Sequence, residues 1–407
     1  VQRALVSVPG DTPLPDVVRA VRAALDGTGP AVMPMGAATA AEEVPDGVAL
    51  VLATSGSTGA PRWVLLDADA VRASAHATHD RLGGPGRWVL ALPWHHVAGI
   101  QVITRSLLAG TEPLVLPPGR FDPFAAADAL RAALSASSER LYASLVPTQL
   151  HRIVAAAGSG PLPAGLRAWA GLAGILVGGA ATAPALLDRA RDLGLRVVTS
   201  YGMTETAGGC VYDGVPLDGV QVRVAGTIEI AGPVLARGYL PDEPGAFVDE
   251  GGVRWFRTAD VGEVVDGVLH VHGRADDVIV TGGVNVAPVA VERVLADLGL
   301  GEVCVVGMPD AEWGQVVTAV VVPGDGPLPD VDALRDAVAI RLGKAAAPRA
   351  VVVMDRLPYR GPGKVDRAAV AREAAELLTD PDSGRSAGEP GSPGPGQRVG
   401  GDHGDRR

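Results

Sequence analysis

Between residues 175 and 199 the apolar pattern changes period twice. Ile175–Val177 is a continuous apolar run and Gly178-Gly179-Ala180 breaks it. Pro184–Leu193 then follows with helical spacing, and residues 196–199 form a second extended run. Strand, helix, strand in that order implies a parallel sheet with helices on its faces. The same alternation precedes it. Extended runs at 48–53, 63–66, 88–92, 114–116 and 142–146 are interleaved with helical patterns ending near Leu82 and spanning 97–108, 122–135 and 150–157. The expected fold class is therefore α/β. From Val220 to Val271 the chain reads instead as short strands between Gly and Pro turns, a small antiparallel sheet or barrel. Gly273–Asp277 looks like a boundary. Beyond it comes a compact α+β unit with helices over 288–298, 331–342 and 367–378. We expect an N-terminal domain over 1–272 with parallel and mixed sheets plus a barrel-like subdomain, a small C-terminal domain over 273–379, and a disordered Gly/Pro/Ser-rich tail over 380–407.

With 407 residues the chain can bury a large core in two domains. Hydrophobic residues make up 47% but aromatics only 4%, so the core must be built from Ala, Val and Leu. The formal net charge is −11 and no basic cluster is visible, which makes nucleic acid and anionic membrane poor partners. No apolar run approaches a membrane span and no charged-then-apolar leader opens the chain, so a soluble cytoplasmic protein is expected. Cys210 and Cys304 sit in apolar surroundings and suggest neither a disulfide framework nor zinc. His95-His96 and His270-x-His272 lack a third ligand of the usual type nearby.

Three stretches carry chemistry. Thr54-Ser55-Gly56-Ser57-Thr58-Gly59 lies between two expected strands and concentrates small residues, free N–H groups and hydroxyls. That suits a phosphate cradle, the alternative being a plain exposed loop. It lacks the Walker spacing. Ser200-Tyr201-Gly202-Met203-Thr204-Glu205 follows a parallel strand, outside whose C-terminal end open sheets bind ligands. A ring, a hydroxyl and a carboxylate there can stack a base, donate to a phosphate and hold Mg²⁺; the alternative is an ordinary turn with a solvated glutamate. Lys364 stands in Gly361-Pro-Gly-Lys364. Of 35 basic residues only Lys344 and Lys364 are lysine, and a compact ammonium can approach a carboxylate as a planar guanidinium cannot.

Thr54–Arg62, Tyr201–Glu205, Arg257-Thr-Ala-Asp260, Gly273-Arg274-x-Asp276 and Gly363-Lys364 occur in the order seen in the acyl-adenylate-forming superfamily, which this chain resembles over about residues 52 to 367. The resemblance implies ATP, Mg²⁺ and coenzyme A as cofactors and co-substrate, and a small-molecule carboxylic acid as partner; a homo-oligomer is compatible with it. It implies that Tyr201 stacks on adenine, Thr204 contacts the α-phosphate and Glu205 ligates Mg²⁺. Gly178, Gly179 and Ala180 would flank the adenine, Asp260 would accept from the ribose hydroxyls, and Arg274 would lie near the ribose. Asp276 would be the hinge of a mobile C-terminal domain, Gly283 would line the pantetheine path, His96 would sit beside the reacting acyl group, and Lys364 would bridge acid and nucleotide. One departure is visible. Pro61-Arg62-Trp63 stands where the family carries Pro-Lys-Gly, which leaves the closing geometry of the loop open. Within the superfamily, residues 92–101, 105–110 and 144–149 resemble the o-succinylbenzoate–CoA ligases of menaquinone biosynthesis. Gln101 and Arg105 lie four apart on one expected helix and can face one pocket with His95. Arg105 would then hold the carboxylate that does not react, the alternative being a helix-surface arginine. Two other readings stay open: a ligase for a different aromatic or aliphatic acid, and a stand-alone adenylation domain loading a carrier protein.

Overall fold

The computed structural model of the chain describes residues 2–34, 41–55, 61–324, 329–359 and 364–379. Among the described residues two large sheets carry the N-terminal part. The first has six strands, in the order Gly238–Leu240, Pro61–Asp67, Val48–Ser55, Ala31–Pro34, Gln2–Val8 and Glu43–Pro45. The second has seven, in the order Val215–Pro216, Gly208–Tyr212, Val197–Met203, Gly174–Gly178, Leu141–Leu145, Arg87–Leu90 and Leu114–Val115. The last five of these run parallel, and the first two are added antiparallel. Leu141–Leu145 is buried at every position, as expected of a parallel strand covered on both faces.

Helices Ala68–Arg81 and Val97–Leu108 lie between the two sheets. One core cluster joins Leu50, Leu52, Val64 and Leu66 of the first sheet, through Ile100, Val102 and Ile103, to Trp88, Tyr142 and Leu176 of the second. Helix Val97–Leu108 is buried from Gly99 through Ser106, so its polar residues Gln101, Thr104, Arg105 and Ser106 are buried along with its apolar ones. Helices Pro123–Ala136, Pro147–Ala157 and Pro184–Asp192 cover the other face around Leu130, Leu150, Ile153 and Trp169. Each opens on a proline, where the missing N–H has no helical partner to lose. Asp122 caps the first of them, accepting from the Phe124 and Ala125 amides at 2.8 and 3.1 Å.

One finding differs from the reading of the sequence, and one bears on a point that it left open. The strand expected over 196–199 runs on to Met203, so Tyr201 to Met203 are strand residues and not loop. They are held there by Gly208–Tyr212, a partner that the glycine-rich sequence does not announce. Trp63 does not occupy the turn of the phosphate loop. It is a core residue of Pro61–Asp67, paired with Ala53 and Leu240 and packed among Met33, Val44, Val51 and Leu65. The loop itself, with Gly56, Ser57, Thr58 and Gly59, lies outside the described residues, as do residues 361–363 and 380–407.

Residues 221–257 form a four-stranded antiparallel sheet, followed by a ribbon of Asp260–Val265 with Val268–Arg274. The chain ends in an α+β unit. Glu302–Asp310 and Gly314–Val322 make a long hairpin, and Ala350–Val353 adds to it in parallel. Helices Pro288–Ala296 and Val331–Leu342 pack on one face, around Val291, Leu295, Val305 and Leu334. Helix Arg367–Thr379 packs on the other, around Cys304, Val306, Val320 and Val370. At the expected boundary, Gly273 and Arg274 finish a strand, and Ala275–Asp277 is one 3₁₀ turn. Among the described residues no helix is long and apolar enough to cross a membrane.

Candidate nucleotide and acid site

The C-terminal ends of the parallel strands point to one edge of the seven-stranded sheet, where open α/β sheets hold ligands. Gly178 ends one strand there, and a Cβ on it would lie 2.8 Å from the Ser200 carbonyl oxygen of the next. Gly179 follows with φ +85°, and Ala180 is exposed. On the neighbouring strand the half-buried Tyr201 donates its hydroxyl to Asp260 Oδ2 at 2.7 Å. Burial, then Asp260, raises the Tyr201 pKa, so the phenol stays protonated. Asp260 is fixed from behind, its amide donating to the Thr258 hydroxyl at 3.0 Å. Across the ribbon Arg274 pairs with Asp260 in register and grips Asp276 through two bonds of 2.9 Å. Hence the two residues expected near the ribose adjoin each other, and the expected hinge residue is bound to one of them.

Gly202 permits the turn that follows. A Cβ there would sit 2.2 Å from the Gly208 carbonyl oxygen. The Thr206 hydroxyl ties the turn shut, donating to Gly208 at 2.7 Å and accepting from the Met203 amide at 3.0 Å. Thr204 is left half-buried and Glu205 buried. One oxygen of Glu205 accepts from the Tyr239 hydroxyl at 2.8 Å, and the other accepts nothing among the described residues. Mg²⁺ is ordinarily held by one or two carboxylates plus phosphate oxygens, so a single carboxylate with a free oxygen fits that ion on a bound triphosphate. Among the described residues no cluster of three or more His, Cys, Asp or Glu suits a metal held by protein alone. His272 instead lies 3.4 Å from Glu263, and both cysteines are buried thiols.

Arg62 leaves the phosphate loop along Pro61–Asp67 and is held by Glu243 through contacts of 2.8 and 2.9 Å. Burial works against its charge, and Glu243 more than restores it. Thr54 pairs with Arg62 at the mouth of the hairpin, and Ser55 ends the first strand. Tyr239 and Glu243 carry no motif that marks them in the sequence; Tyr239 being one of only five tyrosines was the available hint.

His95 and His96, expected beside the acid, have ring centroids 4.5 Å apart at the start of helix Val97–Leu108. A Cβ on Gly99 would lie 2.2 Å from the Pro93 carbonyl oxygen, so this glycine lets the first turn of the helix press against the histidine turn. Burial lowers the His95 pKa. Burial, then His95 and the Lys364 ammonium, brings His96 down to about 4. Lys364 is exposed on the C-terminal unit, and its charge is the smallest of the contributions to that lowering. Gln101 and Arg105 lie deeper. Gln101 donates to the Val71 and Ala207 carbonyls at 3.2 and 2.7 Å. Arg105 is 3% exposed, lies over the Trp88 ring at 4.7 Å and approaches the Tyr212 hydroxyl at 3.5 Å. It is thus not a surface residue. Gly283, with φ +80°, is exposed in the turn between Ile279–Thr281 and Val284–Val286.

A strand-edge site with a ring and a carboxylate suits a nucleotide, and the sequence assigns the class: the chain belongs to the AMP-binding enzyme family. The model of that family matches residues 8–240, and the model of its C-terminal domain matches 290–364. Among individual proteins, the chain is 46% identical over 350 residues to the probable 2-succinylbenzoate–CoA ligase of Mycobacterium tuberculosis strain H37Rv, covering 84% of this chain and 88% of that one. It is 33% identical over 380 residues to the feruloyl-CoA synthase of an Amycolatopsis species, covering 84% and 74%. The fold superposes with a TM-score of 0.67 at 26% identity on the o-succinylbenzoate CoA synthetase of Bacillus subtilis solved with its acyl-adenylate intermediate, over 88% of this chain and 75% of that one.

Proposed function

We propose that the protein is an ATP-dependent acid–CoA ligase that forms an acyl-adenylate, with 2-succinylbenzoate as its acid. The observation that carries the reading is the row at the end of strand Val197–Met203, where Tyr201 bonds Asp260 at 2.7 Å and Glu205, in the next turn, keeps one carboxylate oxygen free among the described residues. In the first step a carboxylate oxygen of the acid attacks the α-phosphorus of ATP. The bond to the bridging oxygen breaks and pyrophosphate leaves with the electron pair. The Lys364 ammonium and Thr204 balance the charge that collects between the two anions. The neutral His96 imidazole flanks the carboxylate without competing for Lys364. Glu205 would hold Mg²⁺, which would supply charge neutralisation on the phosphates. In the second step the coenzyme A thiol, losing its proton, attacks the acyl carbon and AMP leaves. No protein nucleophile is required. We assign residues 1–272 to nucleotide and acid binding and 273–379 to a mobile domain turning at Asp276, with Gly283 lining the path of the pantetheine.

The 46% identity to the mycobacterial ligase supports 2-succinylbenzoate over other acids, and the 33% identity to a feruloyl-CoA synthase names the nearest competing chemistry. A substrate panel separates them. Thioester formation with 2-succinylbenzoate, ferulate, cinnamate, benzoate and a fatty acid should be fastest with the first. Equal or faster turnover of any other acid would overturn the assignment.

A further inference from the structure

We infer that Tyr239 is a positioning residue for the cation site: its hydroxyl fixes the Glu205 carboxylate so that the free oxygen faces the metal on the triphosphate. The inference rests on the nucleotide reading above and adds a residue to it. Glu205 sits on a three-residue 3₁₀ turn, and nothing else among the described residues donates to its carboxylate. Without that bond the carboxylate would have no donor to fix its rotation, and Mg²⁺ demands near-ideal octahedral geometry from its ligands. The Tyr239 hydroxyl can only donate to an anion, so its proton is committed to Glu205 at 2.8 Å.

Tyr239 is itself held on three sides. Its strand pairs with the strand leaving the phosphate loop, Tyr239 opposite Val64. Phe247 packs against its ring with centroids 5.9 Å apart. The Arg62 guanidinium lies 5.2 Å from the ring centroid and is restrained by Glu243. Just upstream, the Ala236 amide donates to the backbone carbonyl of Glu205 at 2.8 Å. The segment from Ala236 to Glu243 therefore grips Glu205 by backbone and side chain and holds the cation that leaves the phosphate loop. It is the physical link between the triphosphate arm and the metal carboxylate.

Tyr239→Phe removes the hydroxyl and keeps the ring, so packing on Phe247 and Arg62 survives. Binding is read directly, by calorimetric titration with Mg·ATP and separately with AMP in the absence of metal. We expect Tyr239→Phe to weaken Mg·ATP about tenfold, the scale of one hydrogen bond to a charged group, and to leave AMP unchanged. The Glu205→Gln variant should weaken Mg·ATP further, and the double variant should bind no more weakly than Glu205→Gln alone, because Tyr239 acts through Glu205. Unchanged Mg·ATP affinity, equal weakening of AMP, or additive losses in the double variant would overturn the inference. If the unmodified protein bound neither nucleotide, the nucleotide site itself would fall with it.

Discussion

Arg105 is a buried cation with no carboxylate beside it among the described residues. Its Nε lacks a partner there, and so do Nε2 of His79, Nε1 of Trp88, Oε1 of Gln101 and Oγ1 of Thr104. Buried polar atoms are almost always bonded, and a buried charge is tolerated only when compensated. Such a concentration, on and around helix Val97–Leu108, is what a site for the second carboxylate of a diacid would look like before the acid arrives. The spacing of Gln101 and Arg105 was legible in the sequence, and the helix is where it was expected. Which backbone that helix face would meet was not: Gln101 spends its amide on Val71 and Ala207, because helix Ala68–Arg81 and the turn at Ala207 pack against it. Arg105→Met tests the idea by sign. Replacing an uncompensated buried charge with an apolar side chain should leave the melting temperature of the ligand-free protein equal or higher. The KM for 2-succinylbenzoate should rise roughly 30-fold or more, the equivalent of about 2 kcal/mol, with the KM for ATP unchanged. A lower melting temperature with an unchanged KM for the acid would make Arg105 a packing residue on Trp88.

At the scale of the element, the strand Val197–Met203 decides where the nucleotide residues sit. Its first half is apolar and readable. Its second half is Ser-Tyr-Gly-Met, held extended by the antiparallel strand Gly208–Tyr212, and a pairing across the turn cannot be seen in a local window. The ladder shifts register between Tyr201 and Gly202, which turns Tyr201 toward Asp260 and sends the chain into the Thr204–Thr206 turn. Gly202→Ala should therefore damage stability and site together. Its Cβ meets the Gly208 carbonyl oxygen at 2.2 Å, backbone that no rotamer change can relieve. Urea unfolding should show a loss of about 1–3 kcal/mol, and AMP and Mg·ATP should both bind more weakly. Unaltered unfolding would mean that the turn is looser than it is drawn here.

For the whole molecule, the proposed adenylation step depends on one lysine of the C-terminal unit. The composition already singled it out, since 33 of the 35 basic residues are arginine. The sequence could not show what steadies it. Arg367, three residues on, bonds Glu292 at 2.9 Å and the Val305 carbonyl at 2.8 Å and lies 3.4 Å from Asp277, beside the expected hinge. Lys364→Ala should depress adenylate formation by on the order of 10²-fold or more, while preformed acyl-adenylate and coenzyme A still give thioester near the unmodified rate. Lys364→Arg should behave like the alanine variant. Equal loss in both half-reactions would make the lysine structural. Beneath all of this lies the claim that the acid is activated on the α-phosphorus, and the fate of a carboxylate oxygen tests it most directly. With the succinyl carboxylate labelled with ¹⁸O, attack on the α-phosphorus places one labelled oxygen between carbon and phosphorus, and thiol attack on the acyl carbon leaves it on AMP. Mass spectrometry of the products should find one ¹⁸O in each AMP and none in pyrophosphate. Unlabelled AMP, or label in pyrophosphate or inorganic phosphate, would contradict the acyl-adenylate route.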